Sequence, residues 1–366
     1  METIAVIINY RSADLTLKAV QSVLSAESMG QIQLVVVDNS QDAAEARKLH
    51  RILPSLVRFK VSPENIGFSR ACNWALDGYH GEAILLINPD ARLLPGCLKR
   101  LQKTLFSSQR VGAVSCLLFW DEDHGYYLPS SYPPPSIFFH ELIETVSPEA
   151  FSGRLLSDYW RRHSIKVWQS GTPVRVRNLS GGLVLLKREA VSAAGGLFDP
   201  RFFLYFEDTD LFFRMRKAGF RLMVEPRAQA VHNYDQCGQE ELSKKRLAMV
   251  RSRRLFMEKY GTGWRRGARR FISVMRRFSR NSQRHPAPHS FDGPFVLDVP
   301  TDCQKDWLFE VSPNPNFIPS AGCFGKGAKM AFPESCWNML APGRYFGRLG
   351  SPQRSERFAR VVSWTV

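Results

Sequence analysis

Apolar residues along the first third of the chain fall into short, nearly unbroken runs separated by stretches of helical spacing. TIAVIIN (3–9) is the first run, and residues 13–26 then place Leu17, Val20, Val23 and Leu24 on one helical face. QLVVVD (33–38), VRFKV (57–61), AILLI (83–87) and VGAVSCLLF (111–119) are further runs. Between them the pattern predicts helices over 42–53, from about Phe68, and over 95–106. Continuous apolar strands alternating with amphipathic helices predict parallel strands buried on both faces. The fold class expected is therefore α/β, doubly wound and Rossmann-like.

The pattern changes at 121–173, where Pro, Gly, Ser and Tyr crowd together. This segment reads as a loop-rich insertion with some helix near 138–163. Regular structure resumes with VRVRNLS (174–180), GGLVLLK (181–187), a helix after Asp208 and a strand at LMVEP (222–226). Two helical pieces follow, about 240–260 and 264–279, divided at Gly261-Thr-Gly263. In the second, Trp264, Ala268, Phe271, Met275 and Phe278 form one apolar stripe on an Arg-rich helix. Beyond a polar, proline-bearing linker, 291–366 has short alternating runs and Pro/Gly turns, which predict a small β-rich module. The organisation expected is one α/β domain over 1–240 with an insertion at 121–173, a basic segment over 241–280, a linker over 281–290 and the module over 291–366.

Composition narrows the class. With 44 % hydrophobic and 23 % charged residues, the chain is globular and not intrinsically disordered. No apolar run approaches the ~20 residues that span a bilayer. The first residues lack the basic n-region of a secretory signal. Seven cysteines without a C-x-x-C pair exclude a disulfide-dense scaffold and a zinc ribbon, and point to a reducing compartment. The formal net charge of +16 is local: residues 244–280 hold 14 Lys/Arg and one acid, so the rest of the chain is nearly neutral.

Four places carry candidate chemistry. Asp38 ends an apolar strand, where open α/β sheets bind ligands; it is also ordinary turn or cap chemistry. Asn65-Ile-Gly67-Phe-Ser-Arg70-Ala-Cys-Asn73 sets a glycine before a helix and an arginine within it, a pattern that suits a phosphate and equally a capped turn. Asn88-Pro-Asp90 follows AILLI and offers an oxygen ligand for a hard divalent cation, or a type I turn. Glu207-Asp208-Thr-Asp210 places three acids in four positions after an apolar stretch, which fits a general base or a helix start. His232 follows, as a metal ligand or a structural histidine.

Taken in order, these motifs resemble the inverting family 2 glycosyltransferases of GT-A fold, in the rhamnosyl- and galactofuranosyl-transferase branch. The matching stretches are Val6-Ile-Ile-Asn9-Tyr10, Val35-Val-Val-Asp38-Asn39-Ser40, Asn65-x-Gly67-x-x-x-Ala71-x-Asn73 and Leu85-Leu-Ile-Asn88-Pro89-Asp90. They continue through Ser180-Gly-Gly182, Gly195-Gly-x-Phe198-Asp199, Phe203-x-Tyr205-Phe206-Glu207-Asp208-x-Asp210-Leu211, Pro226-x-Ala-x-Ala-Val-His232 and Ser252-Arg-Arg-Leu-Phe-x-x-Lys259-Tyr-Gly261. The resemblance covers about residues 1–262 and leaves 281–366 outside.

The resemblance implies transfer of a rhamnose-like deoxyhexose or hexose from a nucleotide-diphospho-sugar to a polysaccharide or lipid-linked glycan. It implies that Asn9, Tyr10 and Asp38 hold the base and ribose, and that Asn65, Gly67, Arg70 and Asn73 line the diphosphate. Asn88 and Asp90 take the first and last positions of the family's D-x-D metal motif, with Asn88 departing from its strict form. His232 would be a further ligand to Mg²⁺ or Mn²⁺. Asp208 matches the catalytic base, with Glu207 beside it. The expected place of action is the cytoplasm or the inner face of the cytoplasmic membrane.

Three occupants suit the basic segment 244–280: an anionic membrane surface, the body of the protein itself, and nucleic acid, for which no recognised binding motif is present. Two other activities fit parts of the pattern. A non-catalytic glycosyltransferase-like scaffold or glycan-binding protein would use Trp307, Trp337, Tyr345 and Trp364 as stacking platforms; the same aromatics suit a core. A sugar-phosphate nucleotidyltransferase would need a glycine-rich loop after the first strand, where the chain reads Asn9-Tyr-Arg-Ser-Ala-Asp14.

Overall fold

The computed structural model describes residues 1–132, 151–233, 242–261, 291–353 and 358–366. The second basic helix expected over 264–279, its apolar stripe and the linker lie outside these residues. In chain order the elements are β1 (Glu2–Asn9), α1 (Ala13–Leu24), β2 (Gln31–Asp38), α2 (Ala43–Ile52), β3 (Arg58–Val61) and α3 (Phe68–Ala75). Next come β4 (Ala83–Ile87), β5 (Ala91–Leu93), α4 (Cys97–Leu105), β6 (Val111–Phe119), β7 (Tyr127–Leu128) and α5 (Phe151–Trp168). Then follow β8 (Val174–Val176), β9 (Leu183–Lys187), α6 (Arg188–Ala193), α7 (Glu207–Lys217), β10 (Arg221–His232) and α8 (Leu242–Tyr260).

Contacts divide the chain into two units. The first comprises 1–118, 130–135 and 170–261. Its sheet runs β6-β9-β4-β1-β2-β3, with β1, β2, β3 and β4 parallel. These strands are buried on both faces, as their unbroken apolar runs require: Ile4 to Ile7, Leu34 to Val37 and Ala83 to Leu85 are at most 2 % exposed. The sheet is mixed, however. β9 runs antiparallel to both β4 and β6, and β10 runs antiparallel to β5 and β8. A continuous apolar run reports burial on two faces and not direction, so periodicity alone could not separate these strands from parallel ones.

Register and caps bring the strand ends together. Asn9 pairs with Asp38 and Asp38 with Val61, so the carboxyl ends of β1, β2 and β3 are level. Asp42 caps α2, accepting from the Ala44 and Glu45 amides at 2.8 and 3.3 Å. α7 begins two residues earlier than expected, at Glu207, and three acids in its first turn face the positive end of the helix dipole. β10 is longer than the LMVEP run and ends on His232.

The second unit comprises 119–129, 136–169 and 262–366. Most of the segment expected as an insertion of the first domain therefore packs with the C-terminal residues. Its strands β11 (Phe295–Asp298), β12 (Trp307–Ser312), β13 (Ala321–Gly325), β14 (Lys329–Phe332), β15 (Arg344–Gly350) and β16 (Phe358–Thr365) give the β-rich character expected. β7 adds to β13, and Trp168 of α5 donates through Nε1 to the Leu128 carbonyl at 3.1 Å. Arg161 of α5 and Arg348 of β15 both bind the buried Glu310 carboxylate, at 2.8 and 2.7 Å. Two charged donors are needed there, because a lone buried carboxylate would be costly. Trp307 and Trp364 are 6 % and 0 % exposed, so these two are core aromatics. Among the described residues no helix is long and apolar enough to cross a membrane.

Candidate active site

The carboxyl ends of the parallel strands form one side of the site, as the crevice rule for open α/β sheets predicts. Asp38, 1 % exposed, accepts from Asn9 Nδ2 at 3.0 Å and from the Ser40 amide at 3.1 Å, both through Oδ1. Its Oδ2 is buried with no hydrogen-bond partner. A buried carboxylate oxygen without a donor is a strong acceptor waiting for one. Asn9 behaves differently from expectation. Its Nδ2 also reaches Ser40 Oγ and Glu45 Oε1, and its Oδ1 accepts from Ser12 and Thr16 hydroxyls at 3.2 and 2.7 Å. The amide is thus saturated inside the protein, and it orients Asp38 instead of facing a ligand. Tyr10 is partly exposed beside Asn9, with the Arg11 guanidinium 5.7 Å from its ring.

The 65–73 stretch is fastened at both ends. Asn39 Nδ2 donates to Asn65 Oδ1 at 2.9 Å, and that oxygen also takes the Gly67 amide at 3.0 Å. Gly67 has φ +80°, and a Cβ on it would lie 2.6 Å from the Phe203 ring. Only glycine allows that approach. Phe68 N–H donates to the Phe203 carbonyl at 2.7 Å. Asn73 clasps Phe198, donating to its carbonyl at 2.8 Å and accepting from its amide at 3.1 Å. Arg70 Nε donates to the Pro200 carbonyl at 3.1 Å. Asn73 and Arg70 were expected along the diphosphate. Their hydrogen bonds run to the 198–200 backbone, so they brace the segment that leads into α7.

That segment ends on Tyr205 and Phe206, both with positive φ (69° and 66°). Two consecutive aromatics in the left-handed region are unusual, and such backbone strain clusters at functional sites. The turn delivers Glu207 and Asp208 to the first turn of α7. Asp208 is half-buried; it accepts from the Gly181 amide at 3.0 Å through Oδ2 and from the Thr209 amide at 2.6 Å through Oδ1. Burial raises its carboxyl above the usual range, against those hydrogen bonds, which lower it. Glu207 is buried, and its Oε2 has no partner. Burial first, and the neighbouring Asp208 second, push Glu207 well above the usual carboxylate range. Such a perturbed pair is what acid–base chemistry requires.

Asp90 and His232 meet across the β5–β10 pair, where Ala91 registers with His232. His232 Nε2 lies 3.2 Å from Asp90 Oδ1, and both residues are at most 5 % exposed. Among the described residues no group of three His, Cys, Asp or Glu gathers to hold a metal. A carboxylate and an imidazole side by side fit a divalent cation that takes its remaining ligands from phosphate oxygens and water. Asn88 adjoins them: its amide donates to the Gly182 carbonyl at 2.8 Å. The Ser180-Gly-Gly182 turn therefore joins Asp208, through Gly181, to Asn88 and the Asp90–His232 pair.

The family model described as "Glycosyltransferase like family 2" matches residues 2–255. The chain belongs to this family. Its α/β sheet with a parallel centre is the GT-A architecture expected from the sequence. The chain is 26 % identical over 266 residues to the N-acetylglucosaminyl-diphospho-decaprenol L-rhamnosyltransferase of Mycobacterium tuberculosis, covering 68 % of this chain and 81 % of that protein. Among solved structures it is similar to GalNAc-T7 with UDP, GalNAc and Mn²⁺ (14 % identity, TM-score 0.49, 72 % of this chain and 49 % of that one). It is also similar to the Pyrobaculum calidifontis mannosyltransferase PcManGT with GDP-Man and Mn²⁺ (18 % identity, TM-score 0.45, 76 % of this chain and 71 % of that one).

Three positions that hold this family site together escaped the sequence reading as site residues. Asn39 clamps Asn65 and also accepts from the Ile66 amide at 3.0 Å. Gly181 supplies the amide that fixes Asp208, and Gly182 leaves room for His232. The usable signal was the Ser180-Gly-Gly182 run, since paired glycines before a strand mark close backbone approach.

Proposed function

We propose that the protein is an inverting glycosyltransferase that moves a rhamnose-like deoxyhexose or hexose from a nucleotide-diphospho-sugar to a hydroxyl of a polysaccharide or lipid-linked glycan. One observation carries the proposal: Asp208, half-buried beside the protonation-prone Glu207, is fixed by the Gly181 amide in the same turn that borders the Asp90–His232 pair. Each Asp208 oxygen accepts one backbone N–H and keeps a lone pair for an acceptor hydroxyl. As the hydroxyl oxygen bonds to the anomeric carbon, its proton passes to Asp208 and the carbon–oxygen bond to the diphosphate breaks on the opposite face. Proton removal of this kind contributes typically 10²–10⁴-fold. Glu207 stays protonated beside it, which keeps two adjacent carboxylates from ionising together.

On the donor side, Asp38 Oδ2 accepts from a ribose hydroxyl or base N–H, with Asn9 holding it and Tyr10 flanking it. Asn65, Gly67, Arg70, Asn73 and Asn88 shape the loops beside the diphosphate. Asp90 and His232 hold Mg²⁺ or Mn²⁺, which when bound neutralises charge developing on the leaving diphosphate. We assign the transferase chemistry to the first unit's residues within 1–240, and peripheral attachment at the cytoplasmic face of an anionic membrane to 244–280.

The relative's acceptor, named as an N-acetylglucosaminyl-diphospho-decaprenol, supports a lipid-linked acceptor for this chain. The test is thermal shift with UDP-, dTDP- and GDP-sugars in Mn²⁺, Mg²⁺ or EDTA, followed by transfer assays with the stabilising donor. A ligand of the native state raises Tm by mass action. Stabilisation by one nucleotide class, reversed by EDTA, is the expected result. No shift and no transfer with any donor would remove the proposal.

A further inference from the structure

A second polar site lies at the far ends of the two elements that carry the catalytic candidates. It is a cavity of about 620 Å³ in the first unit, lined by Arg175, Arg177, Arg216 and Arg221, and no acidic residue is among the described residues that line it. The four come from three elements. Arg175 and Arg177 stand on and just after β8, Arg221 opens β10, and Arg216 is in the last turn of α7.

The antiparallel register pairs Leu222 with Val176 and Met223 with Arg175. Arg221 and Arg177 stand one residue beyond the first of these pairs, facing across the two strands. Like charges opposed on one sheet face are destabilising. Alternation sends Val174 and Val176 inward and turns Arg175 and Arg177 outward, so the arginines share a face by pleat and not by accident of rotamer.

None of the four side chains pairs with an acid among the described residues. Arg216 rests over the Phe213 ring at 5.5 Å, and its Nε is buried without a hydrogen-bond partner. Burial, and after it Arg177, lower the Arg216 guanidinium from its usual value, so its nearest charged influence is repulsive. Four arginines line one cavity with no acidic partner among the described residues; three are exposed, and the fourth, Arg216, holds a buried donor that an anion would satisfy. Guanidinium forks match phosphate oxygens in pairs.

We propose that this arginine cavity binds a phosphate group, presented by an anionic lipid headgroup or by a soluble phosphate ester, at a site separate from the donor cleft. Separation follows from the elements: Asp208 and Arg216 occupy opposite ends of α7, and Arg221 and His232 opposite ends of β10. The lipid source has support nearby. Phe213 packs on Phe256 and Tyr260 of α8, whose outer surface exposes Leu247, Met249 and Val250 among Lys and Arg residues. The site requires no particular donor sugar, so it stands or falls independently of the transfer reaction.

The test uses the full chain and the surface variant Arg177→Gln/Arg221→Gln, whose residues are exposed and outside the catalytic set. Inorganic phosphate and pyrophosphate are titrated by calorimetry with the donor cleft saturated by nucleotide, and vesicles with and without phosphatidylglycerol are floated. The wild type should bind both anions, and the double variant should bind them at least about tenfold more weakly, since a charge-assisted bond to phosphate is worth about one decade or more. A parallel loss of phosphatidylglycerol-dependent flotation names the lipid headgroup as the source. Retained flotation with lost anion binding names a soluble ester. Unchanged anion binding in the variant, or none in the wild type, overturns the proposal, and a cooperative melting transition like that of the wild type, measured without ligand, shows that the variant is folded.

Discussion

A Cβ on Gly182 would stand 2.6 Å from Cε1 of His232. The imidazole therefore occupies the space that any other residue at 182 would fill. Gly182→Ala should displace His232 from Asp90 and weaken activation by Mn²⁺ about 10–100-fold, the usual effect of disturbing a ligand's support. Stability should fall by about 1–3 kcal/mol from overpacking. A metal titration of activity in the variant decides it; an unchanged curve would remove His232 from the ligand set.

Asp208→Asn should cost about 10²–10⁴ in kcat while the donor-induced thermal shift persists. The amide keeps an oxygen for the Gly181 N–H but cannot take a proton. Steady-state kinetics beside melting curves with donor separate loss of the base from loss of the site.

The raised carboxyls set the direction of the pH response. A base must be ionised, so kcat should fall as pH drops through the elevated range of the Glu207–Asp208 pair, above where an ordinary carboxylate titrates. Stability runs the other way. Between the ordinary glutamate value and the raised one, the folded state binds the extra proton, so stability declines as pH rises through that window. Glu207→Gln should flatten the decline, seen as a smaller loss of Tm from acid to neutral pH than in the wild type.

Asn73→Ala distinguishes a brace from a diphosphate ligand. It removes one bond donated to Phe198 and one accepted from it. The expected outcome is a stability loss of about 1–3 kcal/mol and a lower kcat, with donor KM nearly unchanged. Chemical denaturation and initial rates check this; a large rise in donor KM with stability intact would return Asn73 to the diphosphate.

Much of this is legible in the amino-acid sequence. AILLI and VGAVSCLLF delimit β4 and β6 to the residue, because buried parallel-type strands have few compatible sequences and are flanked by turn chemistry. Glu207 and Asp208 were legible as chemistry, since three acids after an apolar run have few structural uses. The direction of β9 was not, because direction depends on which loop returns the chain and leaves no trace in its apolar run. Nor was the division into units: Arg161 finds Glu310 across 149 residues, and no local pattern announces such a partner. The sequence reads Asn9 and Asn73 as contacts because asparagine at a strand end or helix turn looks the same whether its amide faces a ligand or other protein groups, here neighbouring side chains for Asn9 and the Phe198 backbone for Asn73. The arginine cavity was hidden for a related reason, its members being spread from 175 to 221 over three elements.

Asp208 and Arg216 ride on one unbroken helix, eight residues apart, or about 12 Å along its axis. A helix this short does not bend, and Arg214 pins its last turn to the carbonyls of Ala194, Gly196 and Leu197 while Tyr260 and Lys259 hold Asp210 in its first. The helix is in effect a gauge bar. Its anchors fix the spacing between the arginine end and the carboxylate, and lengthening α7 by a turn would change that spacing without touching either.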